Sequence, residues 1–345
     1  MTQKEMTVLN LGQSLDDLAN LDPRGYGVCK ILYSGARKLS KKPLCMNAAE
    51  KLIETVKPGD VVFVLSGFVL TPYNKAETDG IVSAVLLCRA LIKGLGAKPV
   101  LICPEECRKA VEEMCACAGM HLQSDYARLL EVPVSMGMEI FTKDPAEAPA
   151  QADRLIERLK PTAVVSIECP GCNSKGVYHN AIGVDVTALE AKQDILFEKL
   201  QKLGILNIAI GDLGNEIGLG SIEETLKKYI PKGDTIGVYT KTDNLITATV
   251  SDWGCYAMIA AMAFLLEDVD VMHTKELEQQ VLTCASRCGM IDMYGWLTPA
   301  IDGFGLGIML PIVELMGNMV KRALELRETC KNWFDQVEGL GFFHE

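Results

Sequence analysis

Continuous apolar runs alternate along the chain with stretches of helical period. Val61-Val-Phe-Val-Leu65, Pro99-Val-Leu-Ile-Cys103, a segment within 132–141, Thr162-Ala-Val-Val-Ser-Ile167 and Ile205-Leu-Asn-Ile-Ala-Ile210 read as strands. Their β-branched and apolar content predicts burial on both faces. Further strands are predicted at Asp234–Tyr239 and Leu245–Val250. Helical spacing marks Ile81–Lys93, Glu105–Ala118, Pro149–Leu159, Thr187–Leu203, Gly254–Leu266, Lys275–Arg287 and Pro311–Trp333. This alternation predicts an α/β fold with a mostly parallel sheet and helices on both faces. Before it, Leu9, Leu11, Leu15, Leu18 and Leu21 share a helical face that ends at Pro23, and a second helix is expected over Cys45–Val56. Residues 1–56 are therefore expected to form an N-terminal helical cap on an α/β domain of residues 57–335.

Composition narrows the function classes. With 345 residues, 49% of them hydrophobic, the chain can bury a large core without disulfides or structural metals. A net charge of -11 and scattered basic residues argue against nucleic acid as a partner. The apolar run Gly254–Leu266 is too short to cross a bilayer, so no membrane association is expected. That run reads as sheet-packed core, with a dimer face, and hence a homo-oligomer, as the alternative. Thirteen cysteines without a secretory signal predict a reducing, cytoplasmic setting.

Ligands of open α/β sheets bind beyond the carboxyl ends of strands. Four predicted strands deliver acids there: Glu77 and Asp79, Glu168, Asp212 with Glu216, and Asp252. Clustered carboxylates repel unless a cation or shared proton relieves them. An all-oxygen donor set favours Mg²⁺ or Mn²⁺ over Zn²⁺. The stretch Gly211-Asp-Leu-Gly-Asn-Glu-Ile-Gly-Leu-Gly220 stands out, with four glycines among acids just past a buried strand. It is neither a Walker A loop nor G-x-G-x-x-G, so no nucleotide is expected.

Cys169-Pro-Gly-Cys172 has the spacing of redox or zinc sites, but no second C-x-x-C accompanies it. Beyond it lie Lys175, Tyr178, His179 and Asn180, candidate donors to a carboxylate substrate.

Glu77-Thr-Asp-Gly80, Tyr178-His-Asn180, Gly211–Gly220 and Ser251-Asp-Trp-Gly-Cys-Tyr-Ala257 occur in an order that resembles the D-glutamate cyclase family. The family's counterparts read E-T-D-G-P-P-G, N-Y-Y-N, G-D-G-G-N-E-L-G-M-G and S-N-W-G-G-Y-A. The resemblance covers about residues 60–320. Ile81-Val-Ser stands for the family's P-P-G, Asp252 for its asparagine, and the C-x-x-C pair is additional. Ile301-Asp-Gly303 resembles the family's V-D-G, but Phe304-Gly-Leu-Gly follows where the family has histidines.

The resemblance implies an amino-acid-like substrate and cyclisation of D-glutamate to 5-oxo-D-proline with loss of water. For that chemistry, the acids converging on one sheet edge suggest catalytic roles for Asp212, Glu216, Glu77 and Asp79, with His179 as a further candidate base. A divalent metal, Mn²⁺ or Mg²⁺, is expected on Asp212, Glu216 and Asp79. Substrate contacts are expected from Gly211, Gly214, Asn215, Asn180, Tyr178, Lys175, Asp252 and Trp253, with glycine-loop N–H groups holding the α-carboxylate. The rival readings are a lactam or cyclic-amide hydrolase, a non-catalytic sensor of a small molecule, and a thiol redox protein.

Overall fold

A computed structural model describes residues 2–344. Its strands in chain order are β1 (Val61–Ser66), β2 (Val69–Leu70), β3 (Lys75–Ala76), β4 (Lys98–Cys103), β5 (His121–Gln123), β6 (Ser135–Ile140), β7 (Ala163–Ile167), β8 (Leu206–Gly211), β9 (Asn244–Thr247), β10 (Ala300–Ile301) and β11 (Phe304–Gly305). Seven of them form one parallel sheet in the order β5-β6-β4-β1-β7-β8-β9. The pairs β2–β3 and β10–β11 are short antiparallel hairpins. The expected α/β class with helices on both faces is thus the architecture found.

Period-two alternation within β1 divides the core. Val62 and Val64 face the helices Leu44–Thr55, Ile81–Leu95 and Ser251–Leu265. Phe63 and Leu65 face Ala148–Leu159 and Gln193–Lys202. The helix Ser251–Leu265 is apolar nearly all round, and every residue through Phe264 is buried inside the chain, as such a helix must be. It is sheet-packed core. The N-terminal helices Gln3–Ala19 and Val28–Ala36 join the same apolar cluster through Leu15 and Leu32. No helix among the described residues is long and apolar enough to cross a membrane.

Several expected elements differ. The strand expected over Asp234–Tyr239 is a four-residue helix, Gly233–Ile236, followed by chain outside any strand whose Val238 and Tyr239 N–H groups donate to the Gly214 and Cys172 carbonyls. The helix expected from Thr187 begins only at Gln193, after a turn in which the Lys192 ammonium donates to the Thr187 and Glu190 carbonyls. Pro311 does not open the last long helix but lies inside Leu306–Thr329. Strand β5 is a short edge strand with no apolar run to announce it.

The sheet order places the site. From central β1 the chain first winds outward through β4, then returns to β7 on the other side of β1. The strand ends are level there, with Ser66 beside Ile167 and Ile167 beside Ile210. Crevices at such reversals are where open α/β sheets bind ligands.

Candidate active site

Three carboxylates meet beyond the ends of β1, β7 and β8. Asp79, Glu168 and Asp212 bring one oxygen each to within 4.8 Å of the others. Glu168 directly follows β7 and takes φ +43°, a left-handed conformation uncommon for a residue with a side chain. Its carboxylate accepts from the Ser251 hydroxyl at 2.7 Å. Asp79 accepts the N–H of Asp252 at 3.2 Å. Gly80, at φ +77°, turns the chain away from this cluster into the helix Ile81–Leu95.

Glu168 and Asp212 sit at the floor of a cavity of about 410 Å³, and the buried Asp79 meets them without being part of its lining. Glu77, Glu216 and Asp302 also line it, and among the described residues Arg24 is the one basic side chain on its walls. The Arg24 guanidinium donates to the Asp302 carboxylate at 2.6 Å and lies 4.8 Å from the Phe304 ring centroid. Asp302, like Glu168, has a positive φ, +53°. Asp22 holds the loop that carries Arg24, accepting from the N–H groups of Gly25 and Gly27 at 2.9 and 2.6 Å.

Burial drives the electrostatics. It pushes the carboxyls of Glu77, Asp79, Glu168 and Asp212 well above their usual range, and neighbouring acids push them further. For Asp212 the neighbours are chiefly Glu168 and Asp302, with Arg24 opposing. Packed carboxylates hold a proton or take up a cation. The Asp79, Glu168 and Asp212 set is all oxygen and suits Mg²⁺ or Mn²⁺ by donor type.

The structure brings together Glu77, Asp79 and Asp212 of the expected residues and adds Glu168 as the third acid of the cluster. Glu216, expected as a metal ligand, accepts instead from the N–H groups of Leu213 and Gly214 at 3.2 and 2.7 Å. It shapes the glycine loop from within. The Gly214 N–H is thereby occupied, which removes it from the expected nest for a substrate carboxylate. Gly211 ends β8, and a Cβ there would stand 3.0 Å from the Glu216 carboxylate. Asn215 lines the cavity; its amide donates to the His179 carbonyl at 3.1 Å, while its buried Oδ1 has no partner among the described residues.

Other expected contacts lie elsewhere. Asp252 caps the helix Ile81–Leu95, accepting from the N–H groups of Gly80 and of Ser83, the latter at 2.8 Å. Trp253 is fully buried and stacks on Phe304 with centroids 5.3 Å apart. Tyr178 is buried with its hydroxyl 2.5 Å from Asp194. The His179 ring turns toward the Asn173 amide, 3.5 Å away, outside the cavity lining. Lys175 is exposed on a turn. Asn180 does line the cavity, but its Oδ1 is engaged by the N–H groups of Ile182 and Val184.

The C-x-x-C segment is a brace for the glycine loop. The Ile217 N–H donates to the Cys169 carbonyl at 2.8 Å, and the Gly171 N–H to the Asn215 carbonyl at 3.0 Å. Burial raises both thiols, Cys172 to about 12, so neither is poised as a thiolate nucleophile.

Sequence reasoning did not assign Arg24 or place Asp302 in the site, since neither follows a strand of the main sheet. Arg24 belongs to a loop between N-terminal helices, and Asp302 to the β10–β11 turn. The V-D-G match was the one available signal for Asp302.

A family model for D-glutamate cyclase-like, C-terminal domains matches residues 15–315. Human mitochondrial D-glutamate cyclase is 26% identical over 277 residues, which are 78% of this chain. The aligned region spans 41% of that human protein. With the family model matching most of its length, the chain belongs to the D-glutamate cyclase-like C-terminal domain family.

Proposed function

We propose that this protein is a hydro-lyase that closes D-glutamate, or a close analogue, to its five-membered lactam, 5-oxo-D-proline. The observation that carries the reading is the meeting of Asp79, Glu168 and Asp212, the last two of which line one cavity with Arg24.

The reaction joins the amine nitrogen to the γ-carbon and expels one γ-oxygen as water. Two protons must pass from nitrogen to oxygen. Arg24 binds the substrate α-carboxylate through the bidentate face of its guanidinium, oriented by Asp302. The unpartnered Asn215 Oδ1 accepts from the substrate ammonium and turns it toward the floor. Glu77 takes a proton from that ammonium and passes it to the γ-carboxyl oxygen. The same transfer repeats as the C–O bond breaks. Burial suits Glu77 to the task, because it keeps proton affinity high. The apolar walls formed by Phe68 and Leu213 help exclude bulk water, which would favour hydrolysis.

Asp79, Glu168 and Asp212 are the residues that would hold a divalent cation. Such a cation, when bound, supplies Lewis-acid polarisation of the γ-carboxyl and offsets the repulsion of the acids.

The test is incubation of the protein with D- and L-glutamate and both 5-oxoprolines, with Mn²⁺, Mg²⁺ or a chelator, followed by chiral product analysis. Lactam formed from D-glutamate and abolished in Asp212→Asn supports the proposal. Unchanged D-glutamate, with binding intact, supports the sensor reading instead. Opening of the lactam alone would mark a hydrolase.

A further inference from the structure

The acids and Arg24 take up the floor and one wall of the cavity; its mouth is apolar. Tyr26, Tyr73, Ile182 and Met293 line it and are 74%, 54%, 67% and 43% exposed. Trp296, 66% exposed, belongs to the same turn as Met293. Asp292 builds that turn. Its Oδ1 accepts from the N–H groups of Tyr294 and Trp296 at 3.0 and 2.9 Å, and its carbonyl from Gly295 at 2.8 Å. The preceding residue is tied to the acid-bearing segment: the Thr78 N–H donates to the Ile291 carbonyl at 2.9 Å, and the Ile291 N–H to the Ala76 carbonyl at 3.1 Å. The Tyr73 ring lies against Gly295 and fastens the β2–β3 hairpin to the turn. The turn that carries Met293 and Trp296 is therefore tied, with Tyr73, to the segment that carries Glu77 and Asp79.

The volume also exceeds what glutamate fills. Even at the share of about 30 Å³ that a water molecule takes in the liquid, ten heavy atoms need no more than about 300 Å³, and bonded atoms need less. The cavity offers about 410 Å³. Aromatic side chains that are already fixed lose little entropy on covering an apolar group.

We infer that the substrate is a glutamate extended at its α-carboxyl end by an apolar or aromatic residue, as in an N-terminal glutamyl dipeptide. This rests on the cyclase reading above. The γ-carboxyl reacts at the floor and the amine becomes part of the ring, so the α-carboxyl is the end left to point outward. Arg24 then donates to the carbonyl oxygen of the extended substrate. The chemistry balances as before: the ring C–N bond forms, the γ C–O bond breaks, two protons move from nitrogen to oxygen, and water leaves. The peptide bond is untouched, and the product is a 5-oxoprolyl dipeptide.

The probes are free D-glutamate, D-glutamyl-glycine and D-glutamyl-L-phenylalanine, compared by kcat/KM from mass-spectrometric product formation and by Kd from calorimetry. The phenylalanyl dipeptide should exceed the glycyl one by about tenfold or more, as expected for covering a phenyl ring. Trp296→Ala and Tyr73→Ala should bring that ratio toward one. Because the ratio is taken within each protein, partial misfolding cancels. Equal values for the two dipeptides overturn the inference, and so does a preference for free D-glutamate, while turnover of the latter leaves the cyclase reading standing. A wild-type dimer that Trp296→Ala dissociates in sedimentation also overturns it, since a second copy would then cover the rim. If nothing is turned over the cyclase reading fails, and the Kd ratio alone decides whether the mouth takes an aromatic group.

Discussion

Gly80 lies so close to Glu168 that a Cβ on the glycine would stand 2.5 Å from the Cβ of the glutamate. The same atom would meet the Ile167 carbonyl at 2.8 Å. Gly80→Ala should therefore destabilise the protein by about 3 kcal/mol or more, from its positive φ and from overpacking. Displacement of Glu168 should lower activity more than the residual folded fraction accounts for. Urea unfolding and activity on the same samples check both.

Glu168→Gln and Asp212→Asn should separate stability from function. Each removes one of three mutually repelling carboxylates. In chelator, both variants should melt a few degrees above the parent. Affinity for Mn²⁺, read by calorimetry, should fall at least tenfold, and lactam formation roughly a hundredfold or more. A variant that keeps full Mn²⁺ affinity removes that residue from the ligand set.

The buried acids also set a pH dependence. Glu77, Asp79, Glu168 and Asp212 hold their protons more tightly folded than unfolded, because burial disfavours the charged form. Their stabilising contribution is complete below the unfolded values near 4 and is lost as pH rises through the folded ones. Without metal, the melting temperature should fall from pH 5 to pH 8. Saturating Mn²⁺ should bind the deprotonated form and shrink or reverse that slope. Scanning fluorimetry across pH, with chelator and with Mn²⁺, is the measurement.

Asp252 isolates one part of this effect. Its carboxyl is raised to about 6, chiefly by burial. Gly80 and Ser83 donate to different oxygens of Asp252, so Asp252→Asn keeps an acceptor for only one of the two N–H groups. It should lower stability by about 1–3 kcal/mol and flatten the stability profile between about pH 4 and 6. A profile as steep as the parent's would rule out Asp252 as a contributor.

Arg24→Met should act on binding. Losing the guanidinium removes the cationic contact for the substrate and leaves Asp302 unpaired. KM should rise tenfold or more with kcat changed much less, since Arg24 stands away from the reacting carbon. Steady-state kinetics separates the two terms.

Much of this arrangement is legible in the sequence because buried parallel strands are written as continuous apolar runs. Val61–Leu65 and Thr162–Ile167 read as strands, and each leads to acids of the floor. Strand β5 is not legible, since His121–Gln123 is short, polar and at an edge. Asp234–Tyr239 misleads in the other direction. Its β-branched residues suggest a strand, yet Gly233–Ile236 closes into one helical turn, with the Gly237 N–H donating to the Gly233 carbonyl at 3.1 Å. Residue type does not reveal the direction of a carboxylate. Glu216 and Asp252 bind backbone N–H groups, while Glu168, in a left-handed conformation, turns into the cluster.

The Arg24–Asp302 pair joins residues 278 positions apart. During synthesis the wall they form cannot exist until Asp302 has left the ribosome. A shortened chain ending before Ala300 would carry all seven strands of the main sheet and the three acids at its edge. It would lack the partner that orients Arg24. The wall that orients Arg24 thus waits on synthesis through Asp302, and a nascent chain holding the three acids alone lacks it.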